Sequence, residues 1–314
     1  MSALLRRAEG FEDLLEIRDH DLPYRFETIF DDESRGARNR SKKKFKLLRA
    51  IDEELRRMLD QGEEVRFLTE GTIFTFWESY LLGWLLHFFN KRAVVLTDRR
   101  IILLQVRVWS SKPGVLASQI RYRGIAKVRG RLLGGAKLEL RDGKSVRFTG
   151  MPRSDRKFLQ DLVERLREAG ITPESGEVGR EELCPHCHAV VSLGDRECPA
   201  CRGTFKSPRV AGLRSLLFPG LGDFYMGHKA LATIEFLFAL IVWVVLFMPG
   251  AGDPWTRIEL VFVALILIVF IHVPDAVATW YLARRGVFPE EAGRLGPAAR
   301  RASAGSLSGA GAGG

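Results

Sequence analysis

The chain has 314 residues, of which 46% are hydrophobic and 27% are charged. These values are ordinary for folded domains, so they exclude a wholly disordered chain, collagen and a small disulfide-rich scaffold. The formal net charge is +10, and residues 61–170 alone carry a positive excess of that size. Residues 213–283 hold only eight charged side chains, which is typical of a membrane-embedded segment and argues against a purely soluble protein.

The amino-terminal residues 1–40 mix charged and apolar side chains, and they lack the apolar run of a secretory signal peptide. We expect this region to be loosely ordered. Residues 41–61 predict a basic amphipathic helix, because apolar side chains recur at spacings of three and four before Gly62. Lysines 42–44 and Lys46 crowd its start, where positive charge is unfavourable. Attraction to an anionic surface is one explanation for them, and a merely solvated basic run is the other.

Residues 62–170 predict a β-rich domain that ends in a helix. Several β-branched segments precede Asp142-Gly143, a dipeptide typical of a tight hairpin turn. Ser154 is a suitable N-cap residue for an amphipathic helix that ends at Gly170. A small sheet or barrel, covered at its open end by this helix, follows from that order of elements.

The same segment resembles bacterial pleckstrin-homology-like domains. The resemblance rests on Gly62–Val65, on the Leu-Thr-Asp-Arg-Arg turn at residues 96–100, on the strand at Ile125, and on the later hairpin and helix. It implies a seven-strand sandwich capped by a helix, and it implies no enzymatic activity. Members of this superfold bind lipids, peptides or proteins, so the ligand stays open.

Residues 72–90 are longer and more aromatic than a connection between strands requires. Three interpretations stay open. The segment forms part of the sandwich core, lies as an interfacial helix with its aromatic rings at headgroup depth, or spans the bilayer. Glu78 and His87 lie inside it, and a spanning helix would separate the first strand from its sheet partners, so the third interpretation is the least favoured.

A basic run crosses this domain without an acidic residue between its first and last members. Such a surface next to a membrane gains about 1 kcal/mol per cation from anionic lipid. We therefore expect anionic lipid headgroups as a ligand, with solvated strand faces as the simpler explanation. Nucleic acid is attracted by the same charge, but no stacking aromatics are interleaved with the run. The candidate lipid- or anion-binding residues are Arg121, Arg123, Lys127, Arg129, Arg131 and Lys137.

All four cysteines of the chain lie in two Cys-x-x-Cys pairs, Cys184 with Cys187 and Cys198 with Cys201. Two such pairs at this separation close a tetrahedral site for structural Zn²⁺, and metal binding would supply most of the folding energy of so short a loop. Cys-Pro-His-Cys also resembles the active site of periplasmic thiol oxidases, but neither flank provides the βαβ context of that fold. We predict a zinc ribbon over residues 184–205, after a linker at 171–183.

Residues 212–285 predict a membrane hairpin. Two apolar runs, 230–248 and 258–282, are each close to the ~20 residues needed to cross a bilayer. Basic residues flank both outer ends, so the positive-inside rule places both termini in the cytoplasm, which agrees with reduced thiols. The Pro-Gly-Leu-Gly-x-Phe-Tyr element at 219–225 and Asp275-Ala276 resemble a family of small two-transmembrane domains. In that family a neutral polar residue often stands where this chain has Asp223.

Polar side chains within apolar spans usually face protein or water. We predict that Glu235, His272 and Asp275 form an intramembrane cluster, joined by Tyr225, that locks the hairpin or an oligomer. The alternative is that each side chain reaches towards the headgroups by itself. Residues 286–314 lack periodicity and are predicted to be disordered.

Together these features predict an α+β multi-domain protein: a helix-capped pleckstrin-homology-like sandwich, a zinc ribbon and a carboxy-terminal two-helix transmembrane hairpin. The expected function is that of a non-enzymatic adaptor in the inner membrane of the cell, with the bilayer and an unidentified protein as partners. Two alternatives stay open. One is a subunit of an oligomeric, transport-related membrane assembly; the other is nucleic-acid binding through the ribbon and the basic face.

Overall fold

The structure is a computed structural model. It describes residues 23–30, 37–73, 90–107, 110–131, 135–168, 179–247 and 257–290. The chain divides into two compact units, Met1–Leu183 and Cys184–Gly314, and each unit has buried apolar clusters of its own. The mixed α+β class is confirmed. Most of the aromatic segment at residues 72–90 lies outside the described residues.

The described part of the first unit contains helices and an antiparallel sheet. The helices are α1 (Phe26–Ile29), α2 (Ala37–Met58) and α3 (Arg153–Glu168). The strands are β1 (Val65–Ile73), β2 (Lys91–Thr97), β3 (Arg100–Val106), β4 (Pro113–Arg121), β5 (Ile125–Arg131), β6 (Gly135–Leu140), β7 (Ser145–Thr149) and β8 (Arg180–Leu183). Their order across the sheet is β5-β6-β7-β1-β2-β3-β4-β8.

Both faces of the central strands are buried. On β2, Val94 and Leu96 belong to the apolar cluster that contains α3 residues. Val95, between them, belongs to the cluster that contains α2 residues. Because successive side chains of a strand point to opposite faces, a helix covers each side of the sheet. The prediction of a single capping helix therefore missed the contribution of α2.

The helix α2 differs from its prediction in its start and in the use of its lysines. It begins at Ala37 rather than residue 41, so the lysines lie beyond its first turn. Lys44 is buried, and its Nζ lies 3.1 Å from Asp155 Oδ1 at the start of α3 and 4.3 Å from the centre of the Phe67 ring. A charge buried in this way needs a partner, so Lys44 is unavailable to an external anionic surface. Lys42, Lys43 and Lys46 are exposed.

Part of the region predicted to be loosely ordered is anchored in the core. Tyr24 and Ile29 are buried with residues of α2 and β1. Tyr24 also donates a 2.5 Å hydrogen bond to Asp52, and the Val65 N–H bonds to the carbonyl of Pro23. Two large side chains are sufficient to anchor a segment this short, even though it has no periodic pattern.

The Leu-Thr-Asp-Arg-Arg turn is built around a buried ion pair. The Glu63 side chain is 0% exposed and accepts from Arg100 Nη2 at 2.7 Å. Thr97 Oγ1 donates to Glu63 Oε1 at 2.6 Å and accepts the backbone N–H of Arg99 and of Arg100. Burial acts to raise the pKa of Glu63, but the Arg100 guanidinium and the Asp60 N–H outweigh it and hold that pKa below its ordinary value. The residues that carry the resemblance therefore stabilise the fold at this turn.

The end of the predicted linker forms a strand. Arg180–Leu183 is β8, which pairs antiparallel with β4. Three of its four residues are charged and give no apolar alternation, but their charges are neutralised within the sheet. Arg180 lies 2.8 Å from Glu182, and Arg121 of β4 lies 3.5 Å from Glu181. Strand pairing decided this element, which local composition did not indicate.

The second unit contains a cysteine-rich loop followed by helices. Its described elements are β9 (Val190–Val191), α4 (Pro208–Leu217), α5 (Leu221–Met226), α6 (Lys229–Phe247), α7 (Arg257–Leu267), a π-helical turn (Ile268–His272) and α8 (Val273–Ala283). Within the described part of the chain, one continuous helix, Val261–Ala283, is long and apolar enough to cross a membrane. Length and composition alone support that reading.

Glycines of the Pro-Gly-Leu-Gly element permit close packing of α5. Gly220 has φ +84°, and a Cβ at this position would lie 2.5 Å from the carbonyl oxygen of Ala232 in α6. A Cβ on Gly222 would overlap the Ala211 carbonyl oxygen and lie 2.5 Å from Ser215 Oγ, both in α4. The two glycines therefore allow the backbone of α5 to touch α6 on one side and α4 on the other.

Candidate metal centre and carboxylate cluster

The four cysteines form one cluster. Their sulfur atoms all lie within 4.8 Å of one another, and Cys184–Cys201 and Cys187–Cys198 are each separated by 3.7 Å. A disulfide requires a sulfur separation of about 2 Å, so these thiols are free. Four sulfurs at about 2.3 Å from a central Zn²⁺ would stand about 3.8 Å apart in a tetrahedron. The predicted metal-binding cluster is confirmed in its geometry, and zinc as its metal stays a prediction.

The two Cys-x-x-Cys turns have the same backbone conformation. His188 N–H bonds to the Cys184 carbonyl, and Arg202 N–H bonds to the Cys198 carbonyl, both at 2.9 Å. His188 and Arg202, each the residue after the second cysteine of its pair, have φ values of 58° and 61°. Each turn therefore presents two sulfurs to one point, which is the arrangement that a tetrahedral metal requires.

The acid–base character of the free thiols suits metal binding that is coupled to proton release. Burial raises the pKa of Cys184 well above its ordinary value and raises that of Cys187 to about 11. Burial opposes ionisation of Cys198 as well, but N–H groups of Cys201 and Ala200 hold its pKa below the ordinary value. Metal binding requires thiolates, so the metal would displace these protons.

The cysteine cluster also holds the chain where it leaves α8. Val287 is buried with Cys184 and Cys198. Lys206 N–H bonds to the Phe288 carbonyl at 2.9 Å, and Glu290 N–H bonds to the Thr204 carbonyl at 3.0 Å. We call the segment Val287–Glu290 with these contacts the ribbon clasp. The first five residues of the tail predicted to be disordered are thus ordered. Val287 joins the buried core of the ribbon, and Phe288 is buried with its ring edge to face against that of His228.

A second cluster consists of three carboxylates. Asp223 on α5, Glu235 on α6 and Asp275 on α8 each place a carboxylate oxygen within 4.8 Å of the others. Asp223 is buried and accepts from His228 Nδ1 and Thr279 Oγ1, both at 2.8 Å. Asp275 accepts from the Gly220 N–H at 3.1 Å. Glu235 Oε2 is buried and has no hydrogen-bond partner within the described residues.

The structure brings together only part of the predicted intramembrane cluster. Glu235 and Asp275 are neighbours, and Asp223 joins them although the sequence treated it only as a departure from the family pattern. Its position on α5, directly after two glycines that permit close packing, is the signal that could have identified it. Tyr225 lies elsewhere, where its hydroxyl accepts from the Ser207 N–H at 3.1 Å.

The hydrogen bonds of His272 go to two other helices and not to a carboxylate of the cluster. Its Nδ1 lies 3.0 Å from the Leu216 carbonyl oxygen of α4, and its Nε2 lies 3.1 Å from the indole nitrogen of Trp243 in α6. The carbonyl can only accept and the indole N–H can only donate. Both bonds therefore require the neutral imidazole with its proton on Nδ1, and they join three helical elements through one side chain.

The predicted basic run is partly neutralised by acids from adjacent strands. Glu181 of β8 lies 3.5 Å from Arg121. Glu139 of β6 lies 2.8 Å from Lys137 and 3.5 Å from Arg129. Lys127 is exposed, and Arg123 is half-buried at the turn before β5. The side chain of Arg131 lies outside the described residues, so lipid binding by this run stays a prediction.

No protein-family model matches the chain, and no curated protein matches it. The likenesses to pleckstrin-homology-like domains and to two-transmembrane domains therefore rest on the motifs alone.

Proposed function

We propose that the chain is a non-enzymatic adaptor anchored in the inner membrane by a two-helix hairpin, with a structural Zn²⁺ ribbon at the cytoplasmic end of that hairpin. The observation that carries the proposal is the apolar surface of the helices of the second unit. Large apolar side chains stand exposed along α6 and along the helix from α7 to α8, including Ile234, Phe238, Ile241, Val245, Val261, Phe262, Leu265, Phe270 and Val277. An apolar surface of this extent is unfavourable in water and is accommodated by lipid.

The proposed hairpin is supported by its length and by its internal contacts. The 19 residues of α6 span about 28 Å at a rise of 1.5 Å per residue, close to the thickness of the hydrocarbon layer. The bond between Trp243 and His272 joins α6 to the π-helical turn of the second helix. Without aqueous competition, such a polar contact between apolar helices favours their association.

The orientation follows from the basic residues at the outer ends of the helices. Lys229 starts α6, and Arg284 and Arg285 follow α8. Excess Lys and Arg marks the cytoplasmic side. The ribbon clasp ties the exit of α8 to the ribbon, which supports the same side for the cysteines, where thiols stay reduced and bind metal.

The adaptor role is assigned to the first unit. Its polar clusters have structural partners: Glu63 bonds to Arg100, and Asp155 bonds to Lys44 and Thr69. Because these residues bond to one another inside the unit, they stabilise the fold and are not available to a substrate, which favours a binding function over catalysis. We propose that the exposed surface around Lys127 and Arg129 on β5 binds anionic lipid or a protein.

The second candidate function is a subunit of an oligomeric membrane assembly. Glu235 Oε2 is buried and has no hydrogen-bond partner among the residues that the structure describes. This favours the assembly, because an unpartnered carboxylate oxygen between apolar helices is costly unless another polar group reaches it. Partial neutralisation of the basic run by Glu139 and Glu181 weakens both anionic lipid and nucleic acid as ligands of this run, because the same charge attracts either.

The anchor is tested with carbonate-washed membranes and protease. We expect the full chain to stay in the pellet after the wash. Protease added to intact spheroplasts should leave the first unit and the ribbon whole, whereas protease added to inverted vesicles should digest the first unit. Recovery of the chain in the supernatant, or digestion of the first unit or the ribbon from the outside, contradicts the proposal.

The ligand of the first unit is tested by photo-crosslinking in cells. A photoreactive residue is placed at Lys127 on β5, with the exposed Lys157 of α3 as the matched control position. Adducts with phospholipid or with one protein, formed at position 127 and absent at position 157, support the adaptor role. Equal labelling at the two positions argues against a binding surface on β5.

A further inference from the structure

Two cations share one aromatic ring at the start of the membrane helices. Lys206 Nζ lies 5.4 Å from the centre of the Tyr225 ring, and Arg214 Cζ lies 4.3 Å from it. Lys206 precedes α4, Arg214 lies in its last turn, and Tyr225 belongs to α5. The ring is held in place because its hydroxyl accepts the Ser207 N–H.

Within the described residues this pair of cations is only partly neutralised, by the charge of Glu290 acting on Lys206. No carboxylate there forms an ion pair with Lys206 or with Arg214, and the aromatic face stabilises a cation without cancelling its charge. Burial lowers the pKa of Lys206, with Glu290 opposing this effect and Arg214 adding to it. The two cations are therefore close enough to repel each other, and a bound anion would relieve that repulsion.

The pair lies at the polar end of the proposed hairpin. Lys206 N–H bonds to the Phe288 carbonyl, five residues beyond the end of α8. Two further cations at this end stack on aromatic rings of α8: Arg284 lies 4.6 Å from the Trp280 ring, and Arg285 lies 5.3 Å from that of Tyr281. Aromatic rings with adjacent cations are typical of the headgroup layer.

We propose that Lys206 and Arg214 bind the phosphate of an anionic phospholipid headgroup on the cytoplasmic leaflet, an inference that rests on the proposed membrane anchor. The guanidinium binds two phosphate oxygens in a bidentate manner, and the ammonium acts as a point charge on the same group. Tyr225 orders both cations in advance, so less side-chain entropy is lost on binding.

The charge of the site selects among headgroups. Two cations are balanced by one phosphodiester together with the charge of Glu290 acting on Lys206. A headgroup that carries its own ammonium or choline cation would add an unbalanced positive charge and is disfavoured. A phosphatidylglycerol-type lipid has no such cation. Free phosphate has the same chemistry as the headgroup and is the other source of the anion.

The site is tested by native mass spectrometry of the full-length chain in detergent. The chain is titrated with phosphatidylglycerol, phosphatidylcholine or inorganic phosphate. We expect retention of phosphatidylglycerol to fall about tenfold in Lys206→Gln and in Arg214→Gln, since a charge-assisted hydrogen bond is lost. Arg209→Gln is the matched control, because Arg209 is exposed on the same helix and its loss removes the same charge without touching the ring.

A further variant, expected to bind the lipid more tightly, separates loss of the site from misfolding, and each result of the titrations has its own interpretation. Glu290→Gln removes the carboxylate whose charge acts on Lys206, so the site becomes more positive and phosphatidylglycerol should bind more tightly. Unchanged or weaker binding contradicts the proposed site. An equal loss in Arg209→Gln shows diffuse attraction only and overturns the proposal, as does equal retention of phosphatidylcholine. Binding of inorganic phosphate that displaces the lipid assigns the site to free phosphate instead. If the carbonate wash releases the chain into the supernatant, the membrane anchor is refuted independently of this site. Binding of inorganic phosphate would then test whether the two cations form an anion site at all.

Discussion

Trp243 donates its indole N–H to His272 Nε2 at 3.1 Å, and their rings meet edge to face at 5.8 Å. The acceptor lies in the π-helical turn Ile268–His272. A π-turn shifts the side chains that follow it relative to a regular helix and is often found at functional positions. Here the turn presents His272 to both α4 and α6.

Removing this donor should weaken the packing of α6. Trp243→Phe keeps an aromatic ring but loses the N–H, and we expect the free energy of unfolding in mixed micelles to fall by about 1 kcal/mol. Circular dichroism during titration with a denaturing detergent measures it. In a His272→Gln background the same substitution should cost less; if it costs as much, the two side chains are not coupled.

Loss of one cysteine should release both the metal and the ribbon clasp. In Cys198→Ser, we expect the bound zinc to fall from one equivalent to near zero, because a structural site needs all four ligands. Exchange of the amide hydrogens at residues 287–290 should then rise, since Val287 packs against Cys184 and Cys198. Metal analysis and hydrogen-exchange mass spectrometry give the two readouts.

His186→Gln is the matched control for that experiment, because His186 lies between the first two ligands and is not one of the four sulfur donors. We expect it to retain its zinc and its slow exchange. If it loses metal as readily as Cys198→Ser, the ligand set is not the four cysteines.

The Glu63–Arg100 pair should make the first unit sensitive to acid. The pKa of Glu63 is below its ordinary value of 4.5 in the folded chain. The pair therefore contributes fully to stability above that value, and the contribution is lost as the pH falls through the folded pKa. Glu63→Gln should abolish this dependence and cost about 3–5 kcal/mol at neutral pH, since it leaves Arg100 without its buried partner.

Hydrogen exchange of β2 and β3 amides in the detergent-purified chain measures the effect of Glu63→Gln. Glu139→Gln is the control, because that carboxylate bonds to Lys137 on an accessible part of β6 and its loss should leave exchange of β2 and β3 unchanged. If the control accelerates exchange as much, general charge rather than the buried pair determines the stability.

The three carboxylates should contribute unequally to the stability of the second unit. Asp223→Ala leaves His228 and Thr279 without their acceptor, so we expect a loss of about 1–3 kcal/mol. Glu235→Leu removes an oxygen that has no hydrogen-bond partner in the described structure, so a smaller loss, or a gain, is expected. Thermal unfolding in detergent ranks the variants. If Glu235→Leu is the more damaging, the neighbouring carboxylates Asp223 and Asp275 depend on Glu235 for their place in the fold.

Size-exclusion chromatography of the same carboxylate variants tests the role of Glu235 in an oligomer. A change of oligomer size in Glu235→Leu at unchanged thermal stability favours contact with a second chain. Unchanged size and stability in both Glu235→Leu and Asp275→Leu would exclude a role for the cluster in locking either the hairpin or an assembly.

The sequence by itself determined the features that depend on residues close together along the chain. Cys184, Cys187, Cys198 and Cys201 lie in two short turns, and a turn of four residues allows little freedom in where its sulfurs point. The apolar residues of α2 and α3 repeat with the helical period and therefore indicated their buried faces. The long apolar helix that ends at Ala283 was visible from composition, because crossing a membrane depends on length and hydropathy.

Only the tertiary structure decided the features that join distant residues. The pairing of β8 with β4, the ion pair of Lys44 with Asp155 and the meeting of Asp223 with Asp275 each connect positions more than 50 residues apart. A charged side chain has the same local pattern whether it is solvated or buried against a partner. Whether the side chain is solvated or buried depends on which element lies opposite it. The packing of the whole unit determines that element, and the neighbouring residues do not.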